Sequence, residues 1–263
     1  MDLGLRGKVT LVTASSRGIG KGIARVMLQE GARVMLFARN ADELKAAASE
    51  LSRETGGDVA YVQGDLTNRD DVMRLIDETR KVMGSIDILI YNTGPPKPGL
   101  FSDLTFEDWD YAVKLLLLSA VWLTKGVVGD MVKRGWGRLI YVTSLTLRQP
   151  ISNLVLSNTI RLSLAGLVKS LAGEYGPRGI TANGVMQGFI MTDRTRALAE
   201  DESRRRGVPV ETVLRDMARD IPVGRYGNPE EVGYLVAFLA SDKASYINGS
   251  MILIDGGLVR CLP

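Results

Sequence analysis

A chain of 263 residues, 45% hydrophobic and 24% charged, is long enough for one α/β domain with a sizeable core and ordinary in composition for a soluble globule. A net charge of +3 is too small to argue for nucleic acid or a membrane surface as partner. With no histidine and only Cys261, a disulfide framework, a Cys/His metal site and Ser-His-Asp or Cys-His catalysis are excluded. The opening MDLGLRGKVT has no apolar signal region, and no apolar run is expected to reach transmembrane length. A cytoplasmic enzyme or binding protein acting on a small molecule is the expectation that remains.

In chain order, β-branched and apolar runs predict strands near Lys8–Thr13, Arg33–Ala38, Val59–Gln63, Ile86–Tyr91, Arg138–Thr143, Thr181–Val185 and Ser250–Ile254. Helical patterns lie between them, and the alternation implies parallel pairing through right-handed crossovers. Thr105 with Asp108 three residues on has capping-box spacing and opens a long helix through WDYAVKLLLLSAVWLTKGVV. No linker, repeat or low-complexity block interrupts the pattern. The expectation is a single α/β domain over residues 1–263: a doubly wound parallel sheet of about seven strands with helices on both faces.

The first strand breaks into the small-residue turn Thr13-Ala14-Ser15-Ser16-Arg17-Gly18-Ile19-Gly20, and an amphipathic helix follows. Such a turn presents backbone N–H groups and a helix N-terminus to an anion and suits a pyrophosphate. After the second strand, Phe37-Ala38-Arg39-Asn40 has no carboxylate to hold a ribose 2′-hydroxyl, whereas Arg39 and Arg17 can clamp a 2′-phosphate. NADP is therefore expected over NAD. Asp65 and Leu66 follow the third strand, and Asn92 and Gly94 the fourth, where Asp65 can accept from an adenine amino group.

The turn resembles the T-G-x-x-x-G-x-G motif of the short-chain dehydrogenase/reductase family, with Ala14 for the first glycine. The resemblance continues through Val142-Thr143-Ser144, the segment Gly184 to Thr192 (which includes Gly188 and Ile190), Arg225 to Val232, and Ile254-Asp255-Gly256-Gly257. It implies a Rossmann-like fold, a homotetramer or homodimer, and hydride transfer between a nicotinamide cofactor and a carbonyl or alcohol. It also implies that the turn residues, Arg39, Asn40, Asp65, Leu66, Asn92, Gly94, Gly188, Ile190 and Thr192 contact the cofactor.

The chain departs from the family at the chemistry. Ser144 matches the active-site serine, but the Tyr-x-x-x-Lys pair aligns with Ser157 and Arg161, Leu116 replaces an asparagine, and Gln187 a proline. A serine hydroxyl is too weak an acid to inherit the phenol's role, and Arg161 cannot give up a proton near neutral pH, although its fork can bind a ribose or a substrate oxygen. Tyr91 is the less unlikely substitute acid, because Tyr141 points to the opposite face of its strand from Ser144. Ser144, Ser157 and Arg161 are the expected catalytic set, and Arg161 is expected to contact the cofactor as well. Two readings lead, an NADP-dependent oxidoreductase with a non-standard acid–base apparatus or a catalytically silent NADP-binding protein; a non-redox lyase or epimerase on this scaffold is weaker, because no alternative acid–base pair is visible.

Asp193 to Asp220 matches the family's substrate lid. Its Arg204-Arg205-Arg206 run reads as a solvated face, given Glu200, Asp201, Glu202 and Glu211 nearby. Two stretches, Leu162 to Leu171 and Leu115 to Leu118, are apolar over more than one face, so their helices are expected to pair between subunits.

Overall fold

The computed structural model describes residues 2–261. Seven strands form one parallel sheet: β1 (Val9–Thr13), β2 (Arg33–Ala38), β3 (Val59–Gln63), β4 (Ile88–Tyr91), β5 (Gly137–Val142), β6 (Ile180–Gln187) and β7 (Met251–Ile254). Their order is β3-β2-β1-β4-β5-β6-β7. The chain winds outward from β1 to β3 and then restarts on the other side at β4. Val12 therefore pairs with Leu36 of β2 on one flank and Ile90 of β4 on the other. A ligand crevice forms where such a sheet reverses its winding, beyond the carboxyl ends of β1 and β4.

Strand alternation divides the core into two layers. Leu11, Leu89, Tyr91, Leu139 and Tyr141 face one layer, packed under α3 (Arg69–Met83), α5 (Ser119–Arg134) and α7 (Ser163–Tyr175). Val12, Ile88, Ile90, Ile140 and Val142 face the other, under α1 (Gly18–Gln29), α2 (Ala41–Thr55) and α10 (Pro229–Ala240). A Cβ on Gly22 would meet Pro229 inside contact distance, so α1 and α10 lie close together because Gly22 has none. That fixes the floor under the first turn.

The predicted strands all form, with small shifts at their ends. β6 runs two residues past its expected end because Gln187, unlike a proline, is compatible with the ladder. It pairs with Ile254, and Gly188 N donates to Ile254 O at 2.9 Å.

The helix opened by Thr105 is continuous in space from Phe106 to Arg134: α4 (Phe106–Val113), a π-helical turn at Lys114–Leu118, then α5. Its capping box forms as expected. At 29 residues this helix is long and apolar enough by composition to cross a membrane, which corrects the expectation that no such run exists. Half of its most apolar window is nonetheless buried against the protein's own core.

The helix bearing Ser157 is also divided. α6 (Val155–Ile160) ends at Arg161, and α7 begins two residues later. Arg161 N still donates to Ser157 O at 3.2 Å, so the i, i+4 relation survives. Leu164, Val168, Leu115 and Leu116 are buried within the protomer, while Leu162 is exposed. The segment expected as a lid forms two helices packed on each other, α8 (Asp193–Arg206) and α9 (Val210–Met217).

Candidate active site

The crevice begins at the turn after β1. Thr13 Oγ1 donates to Asn92 O at 2.7 Å and accepts from Asn92 N at 2.9 Å, which ties the ends of β1 and β4 together. Ser15 Oγ donates to Val12 O at 2.8 Å and accepts from Phe37 N at 3.0 Å, tying β1 to β2. Both side chains are fully buried, so they shape the cradle from beneath while the backbone of the turn remains at its surface. Asn92 Nδ2 holds Ala14 O at 3.3 Å, and a Cβ on Gly20 would collide with that same carbonyl. Gly20 therefore lets the helix start directly beneath the turn. Ala14 takes the left-handed conformation at φ +48°, where the family has glycine.

Arg17 precedes α1 without a side-chain cap, and the first turn of α1 carries no acid. In contrast, α2, α3, α4 and α8 are capped by Asn40, Asn68, Thr105 and Thr192. The leading N–H groups of α1 thus lack a side-chain acceptor, the arrangement a phosphate completes. Above this turn, Thr192 comes close enough that a Cβ on Gly18 would lie 3.3 Å from its Cγ2. The turn from Gly188 to Thr192 is braced by Met191 N to Gly227 O at 2.7 Å and Gly227 N to Phe189 O at 3.0 Å, with Ile190 buried beneath it. These residues bring the start of α8 over the N-terminus of α1.

The two arginines expected to clamp a phosphate are separately engaged. Arg17, 74% exposed at its side chain, pairs with Glu43 at 3.5 Å, and Ser16 Oγ also donates to Glu43. Arg39 Nη1 donates to Tyr111 Oη of α4 at 3.2 Å. Asn40 is committed to capping α2, Asp65 Oδ1 accepts from both Thr67 N and Thr67 Oγ1, and Leu66 is in the core. Glu43 and Tyr111 were missed by sequence reasoning. Glu43 stood in plain view in the first turn of α2, whereas Tyr111 is brought in from 72 residues away.

Beyond β5, Ser144 begins a 3-10 turn at Leu145–Leu147 and its Oγ accepts from Thr146 N at 3.2 Å. Thr146 Oγ1 lies 3.3 Å from Ser157 Oγ, so Ser144 and Ser157 meet through Thr146. Ser157 and Arg161 are each 6% exposed. Arg161 Nη2 donates to Thr93 Oγ1 at 3.1 Å and lies 3.5 Å from Gly94 O, which links α6 to the loop after β4. Burial pushes the guanidinium's pKa below its ordinary range, with the Tyr91 phenol acting weakly in the opposite sense. Gly94 has open space where a Cβ would be. Thr93 and Thr146 are further residues that the sequence left unmarked, although each adjoins a marked one.

Tyr91 does not substitute for the missing phenol. Its ring is fully buried, and Tyr91 Oη sits 2.8 Å from Leu115 O and 2.9 Å from Ser119 Oγ. Burial raises its pKa strongly, so it holds its proton. Strand parity places it, like Tyr141, on the α5 side of the sheet. The arginine run of α8 is a solvated face, with Arg204, Arg205 and Arg206 paired to Asp201, Glu202 and Asp216. No group of metal-ligating side chains occurs among the described residues.

This geometry is a dinucleotide cradle joined to a cluster of hydroxyls and one buried cation. Residues 13–259 match the family model described as enoyl-(acyl carrier protein) reductase. The chain is 33% identical over 258 residues to 3-oxoacyl-(acyl-carrier-protein) reductase of Aquifex aeolicus, covering 98% of this chain and 100% of that one. It is 36% identical over 257 residues to oxidoreductase UcpA of Salmonella typhimurium, covering 96% and 95% of the two chains. L-Sorbose reductase of Gluconobacter frateurii, complexed with NADPH and L-sorbose, is similar in structure over 100% of both chains, with TM-score 0.95 and 32% identity. An NADPH-bound short chain oxidoreductase of Pseudomonas aeruginosa PAO1, described as containing an atypical catalytic center, matches with TM-score 0.88 and 28% identity over 97% and 98% of the two chains. The chain belongs to the short-chain dehydrogenase/reductase family.

Proposed function

We propose that the protein is an NADP-dependent oxidoreductase that interconverts a carbonyl compound and its alcohol with a non-standard active site. The observation that carries this reading is the uncapped N-terminus of α1 at the winding reversal of the sheet, beneath the turn containing Gly18 and Gly20. The NADPH bound by structural relatives over nearly their whole length supports the same reading. The residues present fit the cofactor: Ser16 to Gly20 would hold its pyrophosphate, Arg17 and Arg39 its 2′-phosphate, and Asp65 its adenine. Asn92, Gly94, Gly188, Ile190 and Thr192 would hold its nicotinamide half. When bound, the dinucleotide supplies the hydride.

The chain's own groups orient the carbonyl and deliver the proton. Ser144 Oγ and Ser157 Oγ donate hydrogen bonds to the carbonyl oxygen. The proton that oxygen needs would pass along the Ser157 and Thr146 hydroxyls, which lie 3.3 Å apart, with solvent as its ultimate source. Neither serine ionises, because its hydroxyl is far too weak an acid, so both act as relays. Arg161 supplies fixed positive charge at this end of the crevice, and α8 with α9 forms the lid. We place the enzyme in the cytoplasm, assembled as a homodimer or homotetramer and acting on a small molecule.

Titration with NADPH and NADH, followed by turnover of bound NADPH with a panel of carbonyl compounds, tests the proposal. Two charge-assisted contacts to the 2′-phosphate, each worth about 1.5–3 kcal/mol before desolvation, make a tenfold preference for NADPH a modest expectation. Equal affinities would overturn the cofactor assignment. Tight binding with no turnover of any carbonyl would favour the silent binding protein, the reading to which Ser157 and Leu116 point.

A further inference from the structure

The two arginines beside the expected 2′-phosphate seat are held by different kinds of partner. Arg17 faces a carboxylate: Glu43 pairs with it at 3.5 Å and also accepts from Ser16 Oγ at 3.3 Å. Its charge is partly offset before any ligand arrives. Arg39 makes no ion pair among the described residues. The side-chain partner of its guanidinium is the neutral hydroxyl of Tyr111, to which Nη1 donates at 3.2 Å.

The root of Arg39 is fixed independently. Gln63 Nε2, at the end of β3, donates to Arg39 O at 3.1 Å, and the next residue, Asn40, caps α2 through Asp42 N and Glu43 N. Beyond that root Arg39 is exposed, and Tyr111 holds the far end of its side chain. Tyr111 stands on a firm base. The Thr105–Asp108 capping box closes the start of α4, Lys97 pairs with Asp108 at 2.7 Å, and the helix runs on into the π turn. β2 and β4 flank β1 in the sheet, so the bond from the end of β2 to the helix after β4 joins the two banks of the crevice.

A long arginine side chain loses rotamer freedom when a ligand fixes it. A neutral acceptor that takes one of its several N–H donors restricts the chain in advance and leaves the charge intact. A carboxylate in the same place would offset that charge, as Glu43 does for Arg17. We infer that Tyr111 is a positioning residue for NADP specificity, holding the Arg39 guanidinium at the 2′-phosphate seat. The inference rests on the cofactor reading proposed above and extends it to a residue of α4, far in sequence from the first turn and β2.

Calorimetric titration of the full chain with NADPH, NADH and adenosine 2′,5′-bisphosphate tests it, since the bisphosphate carries the 2′-phosphate without the nicotinamide. Tyr111→Phe keeps the ring and removes the hydroxyl. At the usual strength of one hydrogen bond, NADPH and the bisphosphate should bind about three- to tenfold more weakly, with NADH within about twofold of wild type. The same substitution in an Arg39→Met background should change none of the three affinities by more than about twofold, because the group that Tyr111 positions is gone. Retained NADH affinity also reports that each variant folds.

Unchanged NADPH affinity in Tyr111→Phe would overturn the inference. Tighter binding would overturn it as well, because Tyr111 would then be competing with the phosphate for Arg39. Equal losses for NADPH and NADH would make the hydroxyl a general support of the fold, and a loss that persists in the Arg39→Met background would mean that Tyr111 acts without Arg39. Each of these results leaves the cofactor reading standing. Equal affinities of the wild type for NADPH and NADH would instead remove the 2′-phosphate seat, and the cofactor reading together with this inference.

Discussion

Rebuilding the pair that the family carries on this helix, by Ser157→Tyr with Arg161→Lys, probes the site in both directions. Ser157 is 6% exposed and its Oγ sits 3.3 Å from Thr146 Oγ1, so a new ring must enter either the crevice or the packed wall behind it. Stability distinguishes the two. Overpacking costs about 1–3 kcal/mol, and at about 2–4 °C per kcal/mol for a domain near this size that lowers Tm by roughly 2–12 °C. A ring in the crevice leaves Tm nearly unchanged. Arg161→Lys gives up the reach to Thr93 and Gly94 but keeps a cation one helical turn from the phenol, where it favours the phenolate. If the site merely lacks its acid, the double variant gains NADPH-dependent ketone reduction of about a hundred- to ten-thousand-fold, the usual range for acid–base catalysis. If the wild type already runs its own reaction, the ring takes space its substrate uses and the native rate falls. Stopped-flow oxidation of NADPH with differential scanning calorimetry reads both. An unchanged Tm and cofactor affinity, with neither gain nor loss of rate, would show that Ser157 and Arg161 are not where the chemistry is decided.

Three smaller changes test the surroundings. Ala14→Gly relieves a left-handed alanine worth about 1–2 kcal/mol of strain against about 0.5–1 kcal/mol of added chain entropy, so Tm should rise by up to roughly 6 °C; a fall would mean that the methyl group packs productively. Glu43→Gln releases Arg17 from an exposed pair of about 0–1 kcal/mol and removes a carboxylate beside the proposed 2′-phosphate seat. NADPH affinity should rise about two- to fivefold with NADH unchanged, and an equal rise for both dinucleotides would refute that placement. Phe101, Phe106 and Leu162 are 73%, 86% and 54% exposed, so light scattering at micromolar concentration should give a dimer or tetramer, and a monomer mass would rule out the assembly.

The strands were legible because each is a short apolar run bounded by glycine or polar residues, and the crevice followed from the alternation of strands and helices. The first turn was legible because close backbone approach restricts it to small residues. What the sequence hid are contacts between distant elements. Ser16 and Glu43 meet across 27 positions, and Arg39 and Tyr111 across 72, with no local pattern announcing either pairing. The orientation of Tyr91 was recoverable. Ile88 and Ile90 lie on the α1 side of β4, so parity alone sends Tyr91 with Leu89 to the other.

The π turn explains why Tyr91 is held there. Ser119 N donates to Lys114 O, five residues back, so Leu115 O loses the partner that an α-helix would have given it. Tyr91 Oη at 2.8 Å and Ser119 Oγ at 2.7 Å occupy that carbonyl instead. The phenol therefore secures a bulge that presents Leu116, fully buried, where the family places an asparagine. Arg161 has this same Tyr91 as its ionisable neighbour. Removing an amide and a phenol from the site while burying a permanent cation lowers its capacity to move protons and raises the strength of any charge interaction made there, because fewer dipoles and less water screen it. The replacements at 116, 157 and 161 thus leave the site with fewer groups able to move a proton and with one cation, Arg161, tied by Nη2 to Thr93 and Gly94.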